Sequence, residues 1–109
     1  MANQVFRLKR NDTSRPIKWY PRATPQSDFT GASVVFNMAD ASGSKKINRG
    51  AATISSDTDG TFFAYEWTAA DTSTADLFDA EFELTLADGD VETYPNDGYI
   101  SVKILEDIA

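Results

Sequence analysis

Residues 78–86 alternate without interruption: Phe78, Ala80, Phe82, Leu84 and Leu86 are apolar, and Asp79, Glu81, Glu83 and Thr85 between them are polar. Successive side chains of a strand point to opposite faces, so this segment makes a strand with one dry and one wet face. A helix built from the same residues would scatter its apolar groups around the axis. Such a strand is stable only inside a sheet that has something to cover its dry face. The rest of the chain must therefore supply further strands.

It does so with the same period. Phe6 and Leu8 alternate with Arg7 and Lys9, and Ile17 and Trp19 with Lys18 and Tyr20. Val34, Phe36 and Met38 share a face opposite Val35 and Asn37, and Phe63, Tyr65 and Trp67 share one opposite Phe62. Ile100, Val102 and Ile104 complete the series. Between the strands lie turn-forming runs: Asn11-Asp12-Thr13-Ser14-Arg15-Pro16, a proline-stiffened loop from Pro21 to Asp28, and Ala41-Ser42-Gly43-Ser44. Asp57-Thr58-Asp59-Gly60, Asp88-Gly89-Asp90 and Pro95-Asn96-Asp97-Gly98 follow. Around Ile47 and Ile54 the Arg49-Gly50 break points to two short strands or one bulged strand. The polar link after Trp67 has Thr68 and Asp71 at capping-box spacing, enough for one helical turn. Seven or eight short strands with regular turns and no long helical period predict an all-β, two-sheet antiparallel β-sandwich occupying residues 1–109 as a single domain.

Composition removes most chemistry. The chain has no Cys and no His, which excludes disulfides, thiolate metal sites and cysteine nucleophiles, and removes the commonest general base. No apolar run approaches the ~20 residues of a membrane span, and the amino terminus lacks a signal-peptide core, so a cytosolic product is expected. The net charge of −7 is unevenly spread: residues 1–55 hold nine Lys and Arg against three acids, and the remainder holds Lys103 against fourteen acids. Two arrangements follow from that: basic strands pairing with acidic ones inside a sheet, or a molecule with oppositely charged surfaces suited to head-to-tail stacking. An acidic total disfavours a phosphate-backbone binder, so no nucleic acid is expected as partner.

The candidate sites are correspondingly few. Asp57, Asp59, Asp88 and Asp90 lie at hairpin tips, where turn geometry accounts for them better than calcium, which needs about six to eight converging oxygens. Glu81 and Glu83 point the same way roughly 7 Å apart, within the range of some glycosidase pairs. They sit on the wet face beside Asp79, where solubility or pairing with Arg7 and Lys9 is the simpler role. Ser42 or Ser44 with Lys45 or Lys46 is formally a serine–lysine dyad, but in a wet turn Lys keeps its proton. No catalytic residue, metal or cofactor is expected. Phe63, Tyr65 and Trp67 read as core. Trp19 and Tyr20 beside Pro21, Tyr94 and Tyr99 around Pro95, and Phe62 are candidate contact residues for a protein or a sugar, with Arg7, Lys9, Glu81 and Glu83 as charged partners.

Several segments, taken in order, resemble the immunoglobulin-like domain that opens many baseplate upper proteins of phage and prophage tails. They are Asn11-Asp12-Thr13, Asp28-Phe29-Thr30-Gly31-Ala32, Tyr65-Glu66-Trp67 through Ala70-Asp71-Thr72, Ala80-Glu81-Phe82-Glu83, and Thr93-Tyr94-Pro95-Asn96-Asp97-Gly98-Tyr99. The likeness spans roughly Phe6 to Ile104. It departs at Phe29, where the family usually has Leu, and at Asp76 and Phe78, where it often has Gly and Tyr. Family members also usually continue beyond such a domain, whereas this sequence stops at Ala109. The resemblance implies an immunoglobulin-like fold and a non-enzymatic structural role among other tail or baseplate proteins, repeated copies of itself included. It implies assembly in the host cytoplasm and then residence in the virion, and it brings no catalytic residues. A glycan-binding module using Trp19, Tyr20 or Tyr94, and an assembly factor absent from the finished particle, are the alternatives.

Overall fold

The long alternating segment forms the middle of the larger of two sheets. The computed structural model describes residues 5–21, 29–95 and 98–106, and among them are nine strands and no helix. In chain order these are β1 (Val5–Lys9), β2 (Ile17–Trp19), β3 (Ser33–Ala39), β4 (Lys45–Ala51), β5 (Thr53–Asp57), β6 (Gly60–Tyr65), β7 (Asp76–Thr85), β8 (Val91–Tyr94) and β9 (Ile100–Leu105). The larger sheet has the order β1-β9-β7-β3-β4, with β8 also paired to β7, and the smaller is β2-β6-β5.

β7 reaches three neighbours because it is ten residues long. On one side β3 pairs with it from Ala39↔Asp79 to Ser33↔Thr85. On the other side β9 takes its first half, Asp76 to Ala80, and β8 its second, Phe82 to Thr85. β8 and β9 thus lie end to end along one edge of β7. Tyr94 opposes Phe82 and Ile100 opposes Ala80, so six steps of chain face two, and Tyr99 lies between the two paired registers.

The two sheets share one core. Phe36, Phe82 and Tyr94 from the larger sheet meet Phe63 and Tyr65 from the smaller, with Phe36 and Tyr65 stacked at 4.8 Å and Phe63 5.5 Å from Tyr94. Phe36, Phe63 and Phe82 have no exposure at all. Gly50 permits this stack. A Cβ there would lie 2.7 Å from Tyr65 Cε1 and 2.8 Å from Ile47 Cγ2, closer than packed carbons come. Beyond the stack, the Tyr65 hydroxyl donates to Asp71 Oδ2 at 2.7 Å, and the same oxygen accepts Thr68 N–H at 2.8 Å. Thr68 and Asp71 do cap one another, but around a turn and not a helix.

Two expectations need correction, and one pair of alternatives is resolved. The fold is not wholly antiparallel, because β1 and β9 pair in parallel from Val5↔Ser101 to Lys9↔Leu105. Parallel neighbours need a long connection, and here nearly the whole chain lies between them. Among the described residues there are nine strands where about seven or eight were expected. The segment around Ile47 and Ile54 is both bulged and broken. Three steps from Ile47 to Gly50 face two from Met38 to Phe36, and Arg49, at the bulge, has φ 56. After Ala52, whose N–H bonds Val34 O, the chain passes to the other sheet as β5. The loop expected after Pro21 falls at 22–28, and the tip of the Pro95 turn at 96–97, outside the described residues.

The packing makes a clear prediction. Gly50→Ala forces a methyl into the Tyr65 ring and should cost about 1–3 kcal/mol. Urea unfolding of the variant should show a lower midpoint with the slope unchanged.

Candidate interaction surface

Each sheet has an outer face, and the two are built differently. On the smaller sheet β2 and β6 put Lys18, Tyr20, Phe62 and Ala64 outward, since their partners in alternation, Ile17, Trp19, Phe63 and Tyr65, face the core. Phe62 is nevertheless only 8% exposed. The Lys18 ammonium lies 4.4 Å above its ring centroid, and the Tyr20 ring is 5.5 Å away. Tyr20 is held in place by its hydroxyl, which donates to Asp57 Oδ2 at 2.7 Å. That bond, followed by desolvation and the charges of Asp57 and Asp59, pushes the Tyr20 phenol from its ordinary 10.0 up to about 12. The same bond holds the Asp57 carboxyl below its usual range.

Several candidate contact residues are therefore occupied within the chain. Phe62 is covered, and Tyr20 is tethered. Trp19 points inward and packs against the core, its indole N–H buried without an acceptor among the described residues. Tyr94 was expected among the exposed aromatics and is a core residue: alternation aims it at Phe63, and its hydroxyl reaches Glu92 Oε1 at 3.1 Å. Tyr99 alone of the five is well exposed, at 47%. It borders a shallow groove on the larger sheet with Asn37, Asp40, Lys45, Asp79 and Glu81.

The hairpin acids behave as turn formers. Asp57 Oδ1 accepts Asp59 N–H at 2.8 Å, Asp88 Oδ1 accepts Asp90 N–H at 3.0 Å, and Asp40 Oδ1 accepts the N–H groups of Ser42 and Ser44. Ser42 donates its hydroxyl to Asp40 at 2.6 Å, while Lys45 Nζ lies 3.5 Å from Asn48 Oδ1.

The outer face of the larger sheet carries what remains. Its registers set out rows running across the strands. One row holds Lys45, Ala39, Asp79, Ser101 and Val5, and the next holds Leu77, Lys103 and Arg7. Lys9 and Leu105 follow. In the other direction Glu81 lies beside Asn37, and Glu83 between Val35 and Thr93. The large exposed hydrophobics are Val5 at 49%, Leu77 at 55%, Val91 at 56% and Tyr99 at 47%. The first three point out from this one face, and Tyr99 borders its groove. Sequence reasoning missed Leu77 and Val91, although a signal was present: each occupies the polar parity of its own strand, Leu77 with Asp79 and Glu81, Val91 with Thr93.

Charge pairing on this face departs from expectation. Glu83 binds Arg49, Nη1 to Oε1 at 2.6 Å, not Arg7 or Lys9. β9 separates β1 from β7, so neither basic residue of β1 lies beside Glu81 or Glu83. Arg10 Nε stands 3.5 Å from Glu106 Oε1, an ion-pair distance without hydrogen-bond geometry. Arg7 and Lys103 are direct cross-strand partners of like sign, and neither forms an ion pair with another described residue. Like charges in that position repel.

Two outcomes are expected. Lys103→Glu replaces the repulsive pair with an attractive one and should stabilise the fold by about 0.2–1 kcal/mol, read by urea unfolding. Tyr20 stabilises the fold fully below pH 10.0 and loses that contribution as pH rises through about 12. Asp57→Asn should bring the ionisation of one tyrosine back toward the ordinary value in a spectrophotometric titration; an unchanged curve would remove the Tyr20–Asp57 bond from the account.

Comparison of the chain with protein-family models, with curated proteins and with solved structures returns no match.

Proposed function

We propose that this chain is a non-enzymatic structural module that works by protein–protein contact, built as an immunoglobulin-like sandwich and belonging to a phage or prophage tail or baseplate. One observation supports contact as its mode of action: Val5 and Leu77, two exposed large hydrophobics, share the outer face of the larger sheet with Arg7, Lys9 and Lys103, cations that form no ion pair with another described residue. Apolar groups rimmed by polar ones on one face mark interaction sites. The tail setting comes from the sequence resemblance alone. The two-sheet arrangement with a shared aromatic core agrees with the sandwich that this resemblance implies. The sugar-binding alternative is the weaker one, since Trp19 and Tyr94 spend their rings on the core and Tyr20 is tethered to Asp57.

The test is peptide mass spectrometry on gradient-purified tail particles induced from the source strain. Several copies per particle are expected. Absence from complete particles, with the protein present in the lysate, would reject the structural reading in favour of an assembly factor or an unrelated binding module.

A further inference from the structure

Val5, Arg7, Leu77 and Lys103 occupy adjoining positions across β1, β9 and β7, and Lys9 extends the group along β1. The result is two exposed aliphatic side chains set among three cations. Asp79, in the neighbouring row, forms no ion pair with any described residue. The Arg7–Lys103 juxtaposition works against the folded state, and a negative surface laid over it would turn that repulsion into attraction.

The chain itself carries a surface of that kind. β7 ends at Thr85 and turns through Asp88-Gly89-Asp90. β4 runs toward the same end, as Ala51 opposes Val35 near the start of β3, and β5 continues onward to the Asp57-Thr58-Asp59-Gly60 turn. Ring contacts agree with this direction. Phe63, near that turn, touches Phe82 and Tyr94, while Trp67, past the far end of β6, touches Phe6. Both acidic turns therefore lie at one end of the fold, and neither contains Lys or Arg. Leu77 is eight residues from Thr85 along β7, about 27 Å. That is well beyond a Debye length of about 10 Å at moderate salt, so the acidic end cannot neutralise the cationic corner of its own molecule.

We infer that the Val5–Arg7–Leu77–Lys103 corner is the docking site for the acidic end of a second copy of this chain, the end formed by Asp57, Asp59, Asp88 and Asp90. The inference rests on the contact-module reading above and names its partner. The two surfaces are different, so the contact is heterologous. Each copy keeps one donor end and one acceptor corner, which builds a ring or an open series and not a closed two-fold dimer. The aliphatic pair supplies a dry centre, and the charges set orientation and rate of encounter.

Sedimentation velocity over a concentration series tests it. At about 20 mM salt the wild-type chain should show species larger than a dimer that grow with concentration, and at about 500 mM salt only monomer. Two variants at exposed positions, Arg7→Glu/Lys103→Glu and Asp59→Lys/Asp90→Lys, should each stay monomeric while matching the wild-type circular dichroism spectrum. Mixed together they should associate, because the first variant keeps the acidic end and the second keeps the cationic corner. A wild type that is monomeric at every concentration, a closed dimer with nothing larger, or association that survives in both variants would each overturn the inference. A monomeric wild type still recovered from purified particles would leave the contact-module reading standing with a different partner. Salt-sensitive association without recovery from particles would do the reverse.

Discussion

Ten residues of β7, dry on one side and charged on the other, are the constraint from which the rest of this fold is built. Their inner side chains, Phe78, Ala80, Phe82 and Leu84, are all buried. Their length lets one strand pair with β3 along one edge and with β9 and β8 in succession along the other. Since β9 in turn holds β1, the first and last of the described strands are both anchored to it. The smaller sheet adds the cover: Phe63 and Tyr65 bring aromatic area onto Phe82 and Phe36, and burial of each large ring contributes about 1.5–3 kcal/mol. Gly50 belongs to the same device, because the stack of Tyr65 on Phe36 needs a backbone without a side chain at that point.

Alternation made most of this readable in advance, for a physical reason. A strand with one buried face writes its orientation into every second residue, and Phe36, Phe63, Phe82 and Val102 fall inward as their neighbours predict. Pairing partners are another matter. Nothing local in Phe6-Arg7-Leu8-Lys9 says that it will lie parallel to Ile100–Leu105, since that contact depends on where the whole intervening chain has gone. The change of sheet at Ala52 was visible only as a weak hydrophobic signal, because a crossing strand abandons one core face before it takes up the next.

Exposure of side chains was legible in part. Tyr99, Arg7 and Lys9 were recognised as outward residues, and they are exposed. Tyr94 and Phe62 show where reading by neighbourhood fails. Tyr94 lies near a turn, yet its parity on β8 aims it inward; Phe62 has outward parity, yet Lys18 and Tyr20 close over it. Exposure at a sheet surface depends on side chains from adjacent strands, which sequence order does not bring together. Leu77 and Val5 carry the opposite lesson. An apolar residue in the wet register of a strand is a local inconsistency, and such positions are where a sequence departs from what its own fold requires.

The cationic corner is the same kind of inconsistency written in charge. Within one molecule, Arg7 opposite Lys103 opposes folding, and with fourteen acids in the second half of the chain a carboxylate at either position would have been the stabilising choice. Four of those acids sit in two turns at the far end, where Asp57 and Asp88 already serve their own backbones through short hydrogen bonds. Asp59 and Asp90, which those bonds position, keep their carboxylates outward at exposed tips. A chain that separates opposite charges by more than a screening length, and leaves aliphatic groups beside one of them, has given up local stability at that surface. Contact with another surface recovers it, and the surface of matching charge that this sequence itself supplies is its own acidic end.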